Sequence, residues 1–277
     1  MFKTTSIALL FIAGASSVLA QQTDPSRELA MPGPPVQAPS PDEAKRSLEL
    51  SAGGQSLSAG LGSWRDVTLR GSYGLPGNLV QGEVSVLRRF NQNGAFLGIS
   101  DTYTFNEDWF GSVALGVGDG AFYLPRYRVD AMLYKKWLPT RSLVTSFGVG
   151  YYDAPDGHTD RSIALGVAYY FESPWIVEGG VRFNNSNPGS VRTHQQYAAV
   201  TYGRDKQSLV SARYTWGGEG YQTVASNTQL VNFDSREASI AWHHWLNPKT
   251  GVLVGANRYS NPLYNRSGIN IGIFHDF

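Results

Sequence analysis

From Arg46 to the C-terminus, apolar and polar side chains alternate one by one over stretches of about ten residues. A period of two marks a strand with two different faces, and about ten residues is what a tilted strand needs to cross a bilayer. In Tyr127–Trp137, one face carries Tyr127, Val129, Ala131 and Leu133, and the other Arg128, Asp130, Met132, Tyr134 and Lys136. In Trp175–Phe183, Val177 and Val181 stand opposite Glu178 and Arg182. Leu209–Trp216 opposes Val210, Ala212, Tyr214 and Trp216 to Ser211, Arg213 and Thr215. Val67–Leu75 opposes Val67, Leu69 and Tyr73 to Thr68, Arg70 and Ser72.

The pattern predicts strands near 47–57, 65–75, 79–90, 95–105, 109–117, 126–137, 143–152, 161–171, 175–183, 192–202, 208–216, 234–245, 251–259 and 267–277. That count is fourteen, with twelve or sixteen left open by the glycine-rich first hairpin and the long segment Gly217–Phe233. A soluble β-sandwich would alternate in the same way. Three features favour an all-β, antiparallel, up-and-down transmembrane barrel instead. Every second connection is short (Leu75–Asn78, Asn106–Asp108, Glu172–Pro174), while most of the others are longer, including Gly118–Pro125, Ala154–Asp160, Asn184–Val191, Gly217–Phe233 and Ser260–Arg266. Trp109, Trp137, Trp175 and Trp245 flank short turns and Trp64 and Trp216 flank the opposite ends, as two interfacial belts would require. Trp245 is out of step with Ala238, Ile240 and Trp242 and needs a bulge or a strand end to face lipid. No proline interrupts a proposed strand.

The two ends of the chain indicate where such a barrel resides. Lys3, the apolar run Ile7–Ala15 and the small-residue site Val18-Leu19-Ala20 read as a signal peptide over residues 1–20. Residues 21–45 are polar and proline-rich and read as a disordered periplasmic linker, leaving 46–277 as the barrel. The final strand closes on Phe277, an aromatic placed where a barrel's last strand meets the interface. Asn270, Gly272 and Phe277 resemble the assembly signal of outer-membrane proteins, with His275 where an aromatic is usual, which implies the barrel-assembly machinery as a partner. The expected location is the outer membrane of a Gram-negative bacterium, in contact with outer-membrane lipids and lipopolysaccharide.

Composition adds limits. The chain has 277 residues, 13% of them aromatic, no cysteine and a formal net charge of +1, so neither a disulfide framework nor a nucleic-acid partner is expected. The slightly negative mean hydropathy argues against spanning helices and is compatible with strands that are polar at every second position.

Candidate chemistry lies on the polar strand faces. Glu49, Arg70, Glu83, Arg89, Arg128, Asp130, Glu178, Arg182, Arg213 and Glu237 are expected to line the lumen, where both signs either flank water or pair across strands and fill it. The five histidines form no His-x-x-x-His pair, and no Gly-x-Ser-x-Gly elbow is present. No catalytic residue, metal or cofactor is therefore expected, and an envelope enzyme is the least favoured reading.

Several segments resemble the YaiO family of outer-membrane β-barrel proteins: Ser63-Trp64-Arg65-Asp66-Val67, Val86-Leu87-Arg88-Arg89-Phe90, Trp175–Phe183 and Asn187-Pro188-Gly189-Ser190-Val191. The similarity covers residues 46–277 and implies a fold and a location without an activity. Two functions stay open: a narrow, porin-like conduit for solute or polysaccharide transport or export, and a closed structural or surface-interaction barrel acting through external loops, chiefly Gly217–Phe233.

Overall fold

The computed structural model describes residues 46–225 and 228–277, with the side chain of residue 225 left out. The signal peptide and linker expected over 1–45 lie outside the described residues. Fourteen strands follow one another: β1 (Arg46–Leu57), β2 (Ser63–Leu75), β3 (Asn78–Arg89), β4 (Gln92–Thr104), β5 (Trp109–Gly118), β6 (Tyr127–Trp137), β7 (Leu143–Asp153), β8 (Thr159–Tyr170), β9 (Trp175–Asn187), β10 (Val191–Arg204), β11 (Ser208–Ala225), β12 (Thr228–Trp245), β13 (Thr250–Ser260) and β14 (Asn265–Asp276). Each pairs antiparallel with its neighbour in sequence, and β1 pairs with β14 to close the barrel. The seam runs from Ser47 opposite Asp276 to Leu57 opposite Arg266, and the Phe277 amide donates to the Arg46 carbonyl at 2.9 Å. Closure leaves no strand edge with unpaired backbone groups, which is the condition for a sheet in lipid.

The alternation read from the sequence sorts side chains between two environments. Val67, Val84, Leu97, Ile99, Val113, Ile240, Ile269 and Ile271 point outward and are half exposed or more. A continuous apolar band of this kind is far larger than the patches soluble proteins tolerate, and hydrocarbon is the solvent it fits. With the start of β1 at the periplasmic end, the even strand number places Phe277, after β14, on the same side.

Loop lengths correct one expectation. Polar residues beyond the bilayer stay paired, so β9 extends to Asn187 while β11 and β12 reach Ala225 and Thr228. The segment Gly217–Phe233 is therefore mostly a two-stranded hairpin, with a register shift between Thr223 and Ala225. Most external connections are as short as the periplasmic ones; the long one is 119–126, between β5 and β6.

Candidate functional site in the barrel lumen

All ten residues expected to line the lumen lie on inward-facing strand positions, and they separate into groups. On the β1–β3 wall, register sets Glu49 and Glu83 directly on either side of Arg70. Arg70 Nη1 donates to Glu49 Oε1 at 2.8 Å and Nε to Glu83 Oε2 at 2.7 Å. Ser85 Oγ donates to the other Glu83 oxygen at 3.0 Å. These side chains keep 25% (Arg70), 23% (Glu49) and 21% (Glu83) of their surface accessible. They face away from lipid, so that surface opens into the barrel interior. Small inward residues on other strands, among them Gly98, Ser100, Ala114, Ser239 and Gly272, are likewise only half buried.

The opposite wall is packed. Asp130 Oδ1, Ser162 Oγ and Arg182 Nη2 converge over Gly150, at 2.7, 2.7 and 3.3 Å from where a β-carbon would stand. Arg128 pairs with Asp130 at 3.3 Å on the same strand. Arg182 hydrogen-bonds Ser162, and the Arg213 guanidinium lies 3.7 Å from the centre of the Tyr197 ring. Glu178 is buried beside them. Below, an apolar floor on this side is formed by Phe110 stacked on Tyr134 at 4.5 Å, with Met132 and Val144.

Closure lies at the external end. Trp64 is 1% exposed and sits between two guanidiniums, Arg89 at 4.4 Å and Arg266 at 4.7 Å from its ring. Arg266 also covers Tyr259 at 4.6 Å and approaches Glu237 at 3.7 Å. A ring face attracts a desolvated cation, so the tryptophan separates two like charges that would otherwise repel. Two chain segments complete the lid. The β5–β6 loop turns inward, burying Ala121, Tyr123 and Leu124 against Leu87 and Phe96. Tyr123 Oη lies 3.2 Å from both the Leu87 and Gln92 carbonyls, and burial pushes its phenol up to about 12, so it remains a donor. Gly94 makes this approach possible, because a β-carbon there would lie 2.6 Å from Tyr123 Oη and 2.9 Å from Leu124 Cδ1.

The second segment is the β11–β12 hairpin, which crosses the mouth. On one side Thr223 Oγ1 and Gln229 Nε2 donate to Asp156 Oδ2 in the β7–β8 loop at 3.0 and 2.5 Å, and Tyr221 Oη donates to the Pro188 carbonyl at 2.6 Å. On the other, Gln222 Nε2 donates to Tyr264 Oη at 2.7 Å, and Val224 and Leu230 pack with Leu57, Trp64 and Tyr264. At its base, buried Glu219 accepts from Tyr259 Oη at 3.1 Å and from Ser235. Partial burial raises the Asp156 carboxyl, but the neighbouring His158 and the hydrogen bonds outweigh it and hold the group below the ordinary 3.8.

The interfacial tryptophans divide. Trp109, Trp137, Trp175 and Trp216 stand on outward positions, and Phe277 is 67% exposed at the periplasmic end. Trp64 does not belong to a belt: it shares the parity of Thr68 and Arg70 and turns into the lumen. Trp245 also leaves the lipid face, since β12 and β13 stay in register from Arg236 to Trp245 with no bulge. Its ring meets Phe274 at 4.9 Å, and its Nε1 donates to Asp276 Oδ2 at 3.2 Å. Trp242 lies on the outward face in its place, 40% exposed. The residues the sequence missed, Arg266, Tyr259, Tyr264, Tyr123 and Glu219, lie at strand ends or in segments read as loops.

The family model described as "YaiO membrane beta barrel domain" matches residues 45–222. No curated protein matches the chain. Among solved structures, the CymD monoaromatic hydrocarbon channel superposes with TM-score 0.57 at 8% identity, covering 85% of this chain and 89% of that one. A bacterial polysaccharide outer membrane secretin gives 0.51 at 10% identity, covering 84% of this chain and 98% of that one. The Acinetobacter baumannii outer membrane protein Omp33 gives 0.50 at 9% identity, covering 84% and 99%. Identities this low speak for a shared barrel fold alone.

Proposed function

This chain belongs to the YaiO membrane β-barrel family and resides in the outer membrane of a Gram-negative bacterium, and from that premise we propose that it is a narrow conduit held shut at its external mouth. The reading is carried by one contrast. The Glu49–Arg70–Glu83 wall keeps a fifth to a quarter of its side-chain surface open to the interior, whereas Trp64, Arg89, Arg266 and Tyr264 above it retain 1% or less. A purely structural barrel gains most by filling its middle with bulky side chains. Here the middle of one wall is glycine, serine and alanine around fixed charges, and the most deeply buried bulk on that side lies at the mouth. Charges of both signs favour a polar passenger without strong ion selectivity, such as a small solute or a neutral polysaccharide strand.

Planar-bilayer recording tests this. The intact barrel is expected to show near-zero steady conductance. Replacing 218–234 by a tight turn removes the hairpin lid and should give discrete, stable openings while the protein still shows a heat-modifiable gel shift. A variant that folds and stays closed would sink the conduit and leave the closed structural barrel as the function.

A further inference from the structure

The outward face carries a feature that neither the lumen nor the apolar band explains. At the external ends of the strands, Arg65, Arg88, Arg161, Arg192, Arg236 and Arg258 are exposed on the same parity as lipid-facing residues such as Val67, Val86 and Ile163. Arg65 and Arg88 are directly opposite each other on β2 and β3. Residues so placed have their β-carbons about 5 Å apart, and like charges there destabilise the sheet. The usual remedy is a facing carboxylate. None is supplied: the position across β1 from Arg65 is Gly54, and the position across β4 from Arg88 is Asn93, whose Oδ1 accepts from Arg88 Nη1 at 3.4 Å. A second case repeats the arrangement, with Arg161 and Arg192 facing Asn185 from either side. Among the described residues, no ion pair reaches any of the six arginines, although Arg126 at the same rim pairs with Asp153 at 3.0 Å.

We propose that the Arg65–Arg88 pair is a binding site for the phosphorylated headgroup of an outer-leaflet glycolipid, the bisphosphorylated lipid A of lipopolysaccharide. Planar guanidinium forks bind phosphate bidentately, and one phosphate between two such forks removes their mutual repulsion. The height fits the same ligand. Immediately below the pair the outward surface becomes Val67, Leu69, Val84 and Val86, which would carry the acyl chains of the molecule whose phosphate the arginines hold. Free phosphate would use only the upper half of such a site.

The test uses the full chain purified in detergent, with binding of a fluorescent bisphosphorylated lipid A as the readout. Arg65→Ser with Arg88→Ser is expected to weaken binding at least tenfold while leaving the heat-modifiable shift intact. Arg65→Lys with Arg88→Lys, which keeps charge without the fork, should fall between. Dephosphorylated lipid A should bind little, and millimolar inorganic phosphate should compete poorly. Equal binding by the serine variant and the wild type, equal binding of dephosphorylated lipid, or full displacement by inorganic phosphate would each overturn the assignment.

Discussion

Removing Trp64 isolates the external closure. Trp64→Ala empties a site that is 1% exposed and takes the shared ring from between Arg89 and Arg266. Deleting a buried aromatic costs about 3–5 kcal/mol, and each desolvated cation–π contact contributes up to about 2 kcal/mol. Edge contacts to Phe90 at 5.1 Å and Tyr264 at 6.4 Å are lost as well. With a urea slope of about 2–3 kcal/mol/M, the unfolding midpoint of the detergent-folded barrel should fall by on the order of 1–2 M. Trp216→Ala is the matched control. That ring is 39% exposed to lipid and stacks on Tyr214 at 5.6 Å, so its loss should cost only about 0.5–1.5 kcal/mol. The same two variants belong in a planar bilayer, where Trp64→Ala alone should open, because two uncovered guanidiniums repel across the mouth. Equal destabilisation by both variants, or a folded Trp64→Ala with unchanged midpoint and no conductance, would refute the role given to this ring.

Other consequences are simpler to check. Ile271→Lys places a charge in the apolar band and should cost about 2–4 kcal/mol in refolding titrations, whereas Asn270→Lys, inward and flanked in register by Gly53 and Gly255, should cost distinctly less. Because the folded Asp156 carboxyl titrates below its ordinary 3.8, its stabilisation of the hairpin is present above that value and lost as pH falls through the lower folded value. Hydrogen exchange at 221–224 and 228–230 should therefore accelerate below about pH 4, and Asp156→Asn should remove that dependence. Gly94→Val should drive the β5–β6 loop out of the mouth and raise conductance, since its side chain would collide with Tyr123 and Leu124. Phe277→Ser should lower outer-membrane levels of folded protein, by removing the aromatic ring beside the seam.

The barrel itself was legible because its physics is local. Period-two alternation fixes which side chains meet lipid, and it located fourteen strands with most boundaries within two or three residues. The same alternation could have placed Trp64, whose parity matches Thr68 and Arg70; proximity to a connection suggested a belt, and parity was the better guide. Strand extension beyond the bilayer was hidden, because polar residues such as Glu219–Thr223 look like loop unless their pairing partners are known. The mouth was legible only in part. Trp64 and Arg89 meet across the adjacent strands β2 and β3, but Arg266 comes from the far end of the chain, and the barrel's circular order brings it to them. Arg266 was read as the end of a loop and its contact with Trp64 runs across the β1–β14 seam, which no local pattern announces.

The absence of cysteine from the sequence offers the most direct measurement of the proposed conduit, which is to be reached from the periplasm and sealed from outside. Ser100→Cys places one thiol on the inward face of β4, at a half-buried position beside the charged wall. A small membrane-impermeant maleimide should label it in cells whose periplasm has been opened to the reagent, and should leave it unlabelled when applied to intact cells from outside. Rapid labelling from outside, or none from either side, would contradict the closed-mouth conduit.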